Sequence, residues 1–339
     1  MSKGLPDMKN ENISIKEIAR LAGTSVATVS RVINQNGRFS KETEKRVREV
    51  IEKYNYRPNE LARSLRVDKA QVVGVIVPDI TNEFFSYIAR KIEVDLLKQG
   101  YMAVICDTNE SLEMEKQYIE TLKAMRIGGI IYVSGDQKIE PIKDIPAVYV
   151  DRKPEFVEEG QGSCFIGCDN YQGGYLAAER LIKAGRKCIA VVLHAKTIAT
   201  QDKRLNGYRQ ALHDYGIPYA EELVYKVEHV GMEQGYQITK RMLESANQTD
   251  GIFYSSDILA IGALQYFHEE NIKIPEEISI IGIDDIPLSA RVVPALTTVK
   301  QDYLKFGSLA ANAIIKMMKG DQEKRTYILS MELIERETV

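Results

Sequence analysis

The stretch that decides the reading is Ser14-Ile-Lys-Glu-Ile-Ala-Arg-Leu-Ala-Gly-Thr-Ser-Val-Ala-Thr-Val-Ser-Arg-Val-Ile-Asn34. Ser14, with Glu17 three residues on, has the form of a capping box, so a short helix is expected over about Ile15–Ala22. Ile15, Ile18, Ala19 and Ala22 recur at the spacing of one helical face. Gly23 then stops the helix by supplying the positive φ of a tight turn. With Thr24 or Ser25 as its cap, a second helix begins at once and runs to about Ile33. Helix, turn of three or four residues, helix is the helix-turn-helix arrangement. Downstream, Ser40 is expected to cap a third helix whose Val47, Val50, Ile51 and Tyr54 mark a buried stripe.

The 339 residues carry a formal net charge of −3, which taken whole speaks against a polyanionic partner. That average conceals a division. Residues 1–69 hold 15 Lys and Arg against 9 Asp and Glu, a net of +6, and the rest holds 30 against 39, a net of −9. A basic head precedes an acidic body. The second helix of the head is rich in hydroxyls (Thr24, Ser25, Thr28, Ser30), poor helix formers that suit phosphate oxygens. Arg31 lies where a guanidinium can reach guanine O6 and N7 in the major groove, and Val26 and Ala27 would meet thymine methyls. DNA binding is the favoured reading of these helices, and a protein-docking bundle is the alternative. Asn55-Tyr-Arg-Pro-Asn-Glu-Leu-Ala-Arg-Ser-Leu-Arg66 follows, with Pro58 suited to the first turn of another helix. Only about two turns long, that helix would need a partner surface for Leu61, Ala62 and Leu65. It reads as a conditionally folded linker or as an ordinary connector.

From Val72 onward, β-branched runs alternate with amphipathic helical stretches: Val72–Val77, Met102–Cys106, Ile130–Val133, Val148–Val150, Cys188–Leu193, Gly251–Tyr254 and Ile278–Ile283. Continuous apolar strands between helices predict parallel sheets covered on both faces, here about seven strands in two Rossmann-like lobes. Ligands of such sheets bind at the carboxyl ends of the strands. Polar residues of a polyol site stand there: Asp79 and Asn82 with Phe84 and Phe85, Asp151 and Arg152, Ser256 and Asp257, Asp284 and Asp285. Carboxylates accept from hydroxyls, Arg donates, and aromatic rings cover apolar sugar faces. For any single one of these residues, helix capping after a strand is the competing reading.

Several classes are set aside. A composition of 44% hydrophobic and 27% charged residues is that of an ordinary globular protein of two or three domains. The N-terminus lacks the apolar core of a secretory signal, and no run approaches the roughly 18 apolar residues of a membrane span. A cytoplasmic protein without membrane contact is expected. Cys106, Cys164, Cys168 and Cys188 complete no zinc ligand set, so buried thiols, no metal and no other cofactor are expected. No G-x-S-x-G, Walker lysine loop or G-x-G-x-x-G occurs, and His194, His213, His229 and His268 read as surface or capping residues rather than catalysts.

In order, spacing and length, the chain resembles the lactose-repressor/galactose-repressor family of bacterial transcription regulators. The resemblance rests on Ile15-x-x-Ile-Ala-x-x-Ala-Gly-x-Ser-x-x-Thr-Val-Ser-Arg-Val-Ile-Asn34 and on Asn55-Tyr-x-Pro-Asn-x-x-Ala-x-x-Leu65. It implies a small all-α helix-turn-helix head (1–57), a hinge helix and linker (58–69), and an α/β effector-binding and dimerisation body (70–339). That body would have two parallel-sheet lobes like those of periplasmic binding proteins, an N-lobe of about 70–168 and 297–325 and a C-lobe of about 169–296 and 326–335. By the same resemblance Val26, Ala27 and Arg31 read bases, and Leu65 wedges into the minor groove at the centre of the site, a costly unstacking repaid by bent DNA. Ser14, Ser25, Thr28, Ser30, Asn34, Ser40, Tyr56 and Asn59 would lie near phosphates.

In the cleft, Arg204-x-x-Gly-Tyr208 and Ile281-Gly-Ile-Asp-Asp285 match effector-contacting segments, so Arg204 and Asp284 join Phe84, Phe85, Asp151 and Ser256 as the implied effector residues. Ser256 stands where several sugar-responsive relatives have Asn or another polar residue, and His194-Ala-Lys196 replaces a glycine-rich loop; both changes would line the cleft. Leu296-Thr-Thr-Val-Lys-Gln-Asp302 matches the strand that crosses back to the first lobe. The expected partners are a pseudo-palindromic operator, a small-molecule effector of carbohydrate type and a second copy of the chain. With a β-rich Tyr327–Leu333 so near Val339, no C-terminal leucine heptads of the kind that make tetramers are expected. The alternatives are the same fold controlled by a phosphorylated partner protein, and a sugar-acting enzyme.

Overall fold

The computed structural model describes residues 13–56, 71–134, 145–154, 164–196, 198–245, 248–321 and 325–339. The chain divides into two compact units, with the boundary between Asp68 and Lys69.

The first unit is helical. Helices α1 (Ile15–Leu21), α2 (Val26–Asn34) and α3 (Lys41–Lys53) each begin at a serine in extended conformation. The Ser14, Ser25 and Ser40 hydroxyls accept from the amides of Glu17 (3.3 Å), Thr28 (3.1 Å) and Thr43 (3.1 Å), satisfying donors that a helix start leaves unpaired. Of the two candidate caps for α2, it is therefore Ser25 that serves. The carboxylate of Glu17 pairs with Arg20 at 2.9 Å. Gly23 adopts φ +62° in the turn between α1 and α2. Ile18, Ala19, Ala22, Val29, Val32 and Val47 form the core of this unit. One expectation is corrected here. Tyr54 closes α3 and carries Lys53 over its ring at 5.5 Å, while Tyr56 packs against the core with Val50 and Ile51. The helix ends at Lys53, so the stripe is completed by the chain that turns back beyond it.

The second unit holds two six-stranded sheets. In the first, β1 (Val72–Val77), β2 (Met102–Asp107), β3 (Gly129–Val133), β4 (Ala147–Val150), β5 (Cys164–Cys168) and β11 (Arg325–Leu329) are ordered β11-β5-β4-β3-β1-β2 and all parallel. In the second, β6 (Ile189–His194), β7 (Val224–Val227), β8 (Gly251–Tyr254), β9 (Ser279–Asp284), β10 (Thr298–Lys300) and β12 (Glu332–Ile334) are ordered β12-β10-β9-β8-β6-β7. Among the described residues, only the pairing of β12 with β10 is antiparallel. The central strands β3, β4, β6, β8 and β9 are buried along their whole length, the reason their sequences are unbroken apolar runs.

Helices α4 (Glu83–Lys98) and α5 (Leu112–Ala124) serve the first sheet, and α6 (Asn170–Lys183), α7 (Ile198–Asp214), α8 (Met232–Leu243) and α9 (Asp257–Glu269) serve the second. A last helix, α10 (Tyr303–Met318), returns to pack on α4 and on β3, β4 and β5. Two helix pairs touch backbone to backbone through glycines. A Cβ on Gly174 would run into the Arg204 carbonyl and one on Gly207 into that of Tyr171, locking α6 to α7. Gly235 and Gly262 do the same for α8 and α9, against the carbonyls of Leu259 and Met232.

Two expectations need correction. There are five more strands than the apolar runs indicated: β5, β7, β10, β11 and β12. The lobe boundaries near the C-terminus also move. Segment 298–300, placed with the N-lobe, is β10 of the second sheet, in register with Gly282–Asp284 of β9. Segment 325–329, placed almost wholly with the C-lobe, is β11 of the first sheet, running Arg325 beside Cys164 to Leu329 beside Cys168. The chain thus crosses between sheets three times: after β5, after β10 and after β11.

Candidate functional site

On the helical unit, the buried side chains of α2 are Val29 and Val32, so the opposite face looks outward. Ala27 and Arg31, one turn apart, are both exposed on that face. The Arg31 stem lies along Gly37, where an added Cβ would meet its Cδ at 3.2 Å. Val26 is half-buried and leans on the head core, leaving only part of its surface to a partner. Ser14, Ser25 and Ser40 are exposed and act as caps, with Ser25 and Ser40 also bonded to the hydroxyls of Thr28 and Thr43 at 2.9 Å. Thr28 and Ser30 are half-buried, and Tyr56 belongs to the packed side of the unit. Leu65, Asn59 and the hinge-helix segment lie outside the described residues, as does the side chain of Asn34.

In the second unit, the carboxyl ends of the strands in both sheets open onto one cavity of about 310 Å³. This is where α/β sheets place ligands, and the volume is at the low end of the about 300–1,000 Å³ typical of small-molecule sites. All six implied effector residues line it: Phe84, Phe85, Asp151, Arg204, Ser256 and Asp284. Phe84 and Phe85 meet edge to face at 5.3 Å at the start of α4 and give the cavity its apolar wall. Asp79 and Asn82 line it too while serving as local caps, for Thr81 at 2.8 Å and Phe84 at 3.0 Å. For these two residues the capping and site readings both hold.

The polar floor is tightly built. Arg204, on α7, is 5% exposed; its Nε donates to Asn170 Oδ1 at 2.8 Å and its Nη1 to the Ser255 carbonyl at 2.6 Å. Asp284 ends β9 and accepts from Ser256 Oγ at 2.9 Å and from Gln301 Nε2 at 2.7 Å. Burial, with the nearby Asp257 carboxylate, holds the Asp284 carboxyl well above the usual carboxylate range, only partly opposed by Arg204. Asp151 takes a 2.5 Å hydrogen bond from Ser134 on one oxygen. Ser134, Asp151, Asp284 and Asp285 all have φ between +52° and +133°, backbone conformations that cost non-glycine residues energy and gather at functional sites.

Two acidic candidates do not face the cavity. Asp257 is fully buried, accepting from Ser289 Oγ (2.7 Å), Thr298 Oγ1 (2.5 Å) and the Ile286 amide (3.1 Å). Asp285 is paired with Arg336 at 2.5 Å. Both tie the floor together from behind. Other lining residues were missed: Asn109, Glu110, Thr200, Gln201, Ser255 and Gln301. Of the four histidines read as surface or capping residues, His194 and His229 also line the cavity. His194 is 3% exposed, its Nε2 lies 3.1 Å from the Glu228 carbonyl, and burial lowers its pKa. The position of these residues at strand ends was the available signal, but it does not separate them from ordinary loop residues.

Among the described residues no group of three or more His, Cys, Asp or Glu side chains could hold a metal ion, and no helix is long and apolar enough to cross a membrane. Residues 14–59 match the model for bacterial regulatory proteins of the lacI family, and residues 178–339 match the periplasmic binding protein-like domain. The ribose operon repressor of Halalkalibacterium halodurans is 33% identical over 328 residues, 96% of either chain. A lacI-family regulator from Enterococcus faecium, solved with bound ribose, is 28% identical, with a TM-score of 0.69 over 79% of this chain and 98% of its own. The lac repressor dimer bound to operator and an anti-inducer shares the fold at a TM-score of 0.82, covering 97% and 99% of the two chains at 24% identity. An exposed face on α2, a polar cleft between two largely parallel sheets and similarity to repressors over 96% of the chain agree: the chain belongs to the lacI family of bacterial regulatory proteins and is a DNA-binding transcriptional regulator, not an enzyme.

Proposed function

We propose that this regulator is a cytoplasmic homodimeric repressor of carbohydrate genes, released from or held on a pseudo-palindromic operator by a hydroxyl-rich effector in the inter-sheet cavity. The observation that carries the effector class is a set of four buried polar atoms without a hydrogen-bond partner, all on residues lining that cavity: Asp151 Oδ1, Gln201 Oε1, Ser255 Oγ and Gln301 Oε1. Buried polar groups are nearly always paired, so such a cluster marks a place where a ligand completes the bonding. Three of the four can only accept, which requires a ligand rich in donors, as hydroxyls are. Arg204 and the two phenylalanines then supply a donor and an apolar wall. The likeness to a ribose-bound relative supports the same class.

On the DNA side, Ala27 and Arg31 would contact base edges, with Val26 at the margin, while Ser14, Ser25, Thr28, Ser30, Asn34, Ser40, Tyr56 and Asn59 approach the backbone. The Pro58–Leu65 segment would form a helix on the operator, with Leu65 inserted in the minor groove. Since the carboxyl ends of two sheets line the cavity from opposite sides, a ligand that favours one lobe spacing shifts the population of that state. Its leverage equals its difference in affinity for the two states, however tightly it binds. Calorimetry with pentoses, hexoses, disaccharides and their phosphate esters, paired with operator binding by fluorescence anisotropy, tests the reading. Heat and a changed operator affinity are expected for at least one compound; silence from the whole panel refutes it.

A further inference from the structure

The turn that ends α2 folds back alongside the helix. Gln35 adopts a left-handed φ of 50° and Gly37 a φ of 93°. The amide of Asn36 donates to the Arg31 carbonyl at 3.1 Å and that of Gln35 to the Val32 carbonyl at 3.3 Å, satisfying acceptors that a helix end leaves open. Phe39 packs against the core of the helical unit and pins the far side of the turn. Residues 35–39 are thus held at both ends, with Gly37 between the two anchors.

What Gly37 touches is the stem of Arg31. A Cβ added there would meet Arg31 Cδ at 3.2 Å, Cγ at 3.6 Å and Nε at 3.7 Å, and these three atoms are its nearest neighbours. Carbon atoms pack best about 3.5–4.0 Å apart, so the exposed stem would have to shift. With no side chain at position 37, the methylenes lie along bare backbone instead. Beyond them, no hydrogen bond or ion pair among the described residues engages the Arg31 guanidinium, and its donors are left for a partner. Arginine has many rotamers, and fixing one of them at an interface costs affinity. A stem already laid against an anchored turn has less freedom to lose. Glycine meets both demands of the position, the positive φ and the room for the stem.

We propose that Gly37 is a positioning residue for DNA recognition, aiming Arg31 at its base by letting the arginine stem rest on the turn after α2. This rests on the reading of Arg31 as a base contact. Specificity is then set in part by a residue outside the helix that need not touch DNA at all.

The test is operator binding by fluorescence anisotropy with the full chain, on the sequence it selects from a randomised duplex pool and on a scrambled duplex of the same length. Gly37→Asn adds the Cβ with a side chain that tolerates positive φ, and Gly37→Ala adds it with more backbone strain. Both are expected to weaken the selected operator by about three- to tenfold, the scale of one long side chain ordered anew, and to leave the scrambled duplex within about twofold. In an Arg31→Ala background the same substitutions should cost less than about twofold, since the side chain they displace is gone. An equal loss with and without Arg31 would overturn the positioning role and leave Gly37 acting on the fold of the head or on DNA directly. Losses that follow the urea midpoints of the two variants would overturn it too, as would an operator affinity that neither variant changes. If Arg31→Ala itself spares base discrimination, the base-reading assignment falls and the positioning role falls with it.

Discussion

Replacing Arg204 with methionine keeps most of the side-chain volume and removes the guanidinium from the cavity floor. Two hydrogen bonds vanish with it, the 2.8 Å bond to Asn170 and the 2.6 Å bond to the Ser255 carbonyl. Hydrogen bonds to charged groups are worth about 1.5–3 kcal/mol each, an upper bound of about 3–6 kcal/mol for the pair. Removing a buried charge returns part of its desolvation cost, so the expected net loss of stability is on the order of 2 kcal/mol. The effector loses a donor of the same strength, so its affinity should fall by about 10- to 150-fold, while the operator affinity without effector stays within about threefold. Urea unfolding measures the first effect, and operator anisotropy titrated with effector measures the second. If Arg204→Met keeps its effector midpoint within about threefold while losing stability, Arg204 is a structural strut and the assignment is wrong. If neither changes, the two hydrogen bonds add nothing to stability and the assignment fails as well.

Three other outcomes are expected. Arg31→Ala should cost about 1–3 kcal/mol on the cognate operator and relax discrimination at one base position; an equal loss on random DNA would reassign Arg31 to phosphate. Gly207→Ala places a methyl against the Tyr171 carbonyl and should destabilise the body by about 1–3 kcal/mol through overpacking. It should also weaken effector binding, since Arg204 is one turn away, and an unchanged urea midpoint would contradict the close approach. Asp284 keeps its proton above the ordinary value of 3.8 because it is buried beside Asp257. The folded state then binds more protons than the unfolded one, so stability is greatest below that value and declines as pH rises through the elevated pKa. Asp284→Asn should flatten that decline, and parallel pH profiles for the two proteins would refute the assignment.

Sequence patterning served where one local rule sufficed. The serine caps of α1–α3 and the buried faces of the head follow from spacing alone, because each is decided within four residues. Most central strands were legible because burial on both faces leaves them uniformly apolar, whereas the equally buried β5 was missed because Gly167 and two cysteines break up its aliphatic run. Edge strands were harder: β2 was legible as an apolar run and residues 327–333 read only as β-rich, while β7 is short and half-exposed and resembles loop sequence. The C-terminal lobe boundaries failed for a related reason: whether residues 298–300 join one sheet or the other depends on register with Gly282–Asp284, which no local pattern records. Within the cavity, residues carried by recognisable segments were found, such as Arg204 and Asp284. Glu110, His229 and Gln301 were missed because they come from three separate loops or strand ends and acquire meaning only when two sheets face each other.

The three crossings between sheets also bear on how the protein can be made. The N-terminal lobe begins at β1, yet its sheet is finished at one edge by β11 and covered over β3, β4 and β5 by α10. Those pieces follow β1–β5 only after strands β6–β10 of the second sheet. Domains generally fold as units while the chain is being synthesised, but here the lobe that starts first must wait, with its flank and one face bare, until the whole second sheet has emerged. Until then, the face of β3, β4 and β5 that α10 covers stays open to solvent. Truncation anywhere before Leu329 should leave both lobes incomplete rather than one lobe intact.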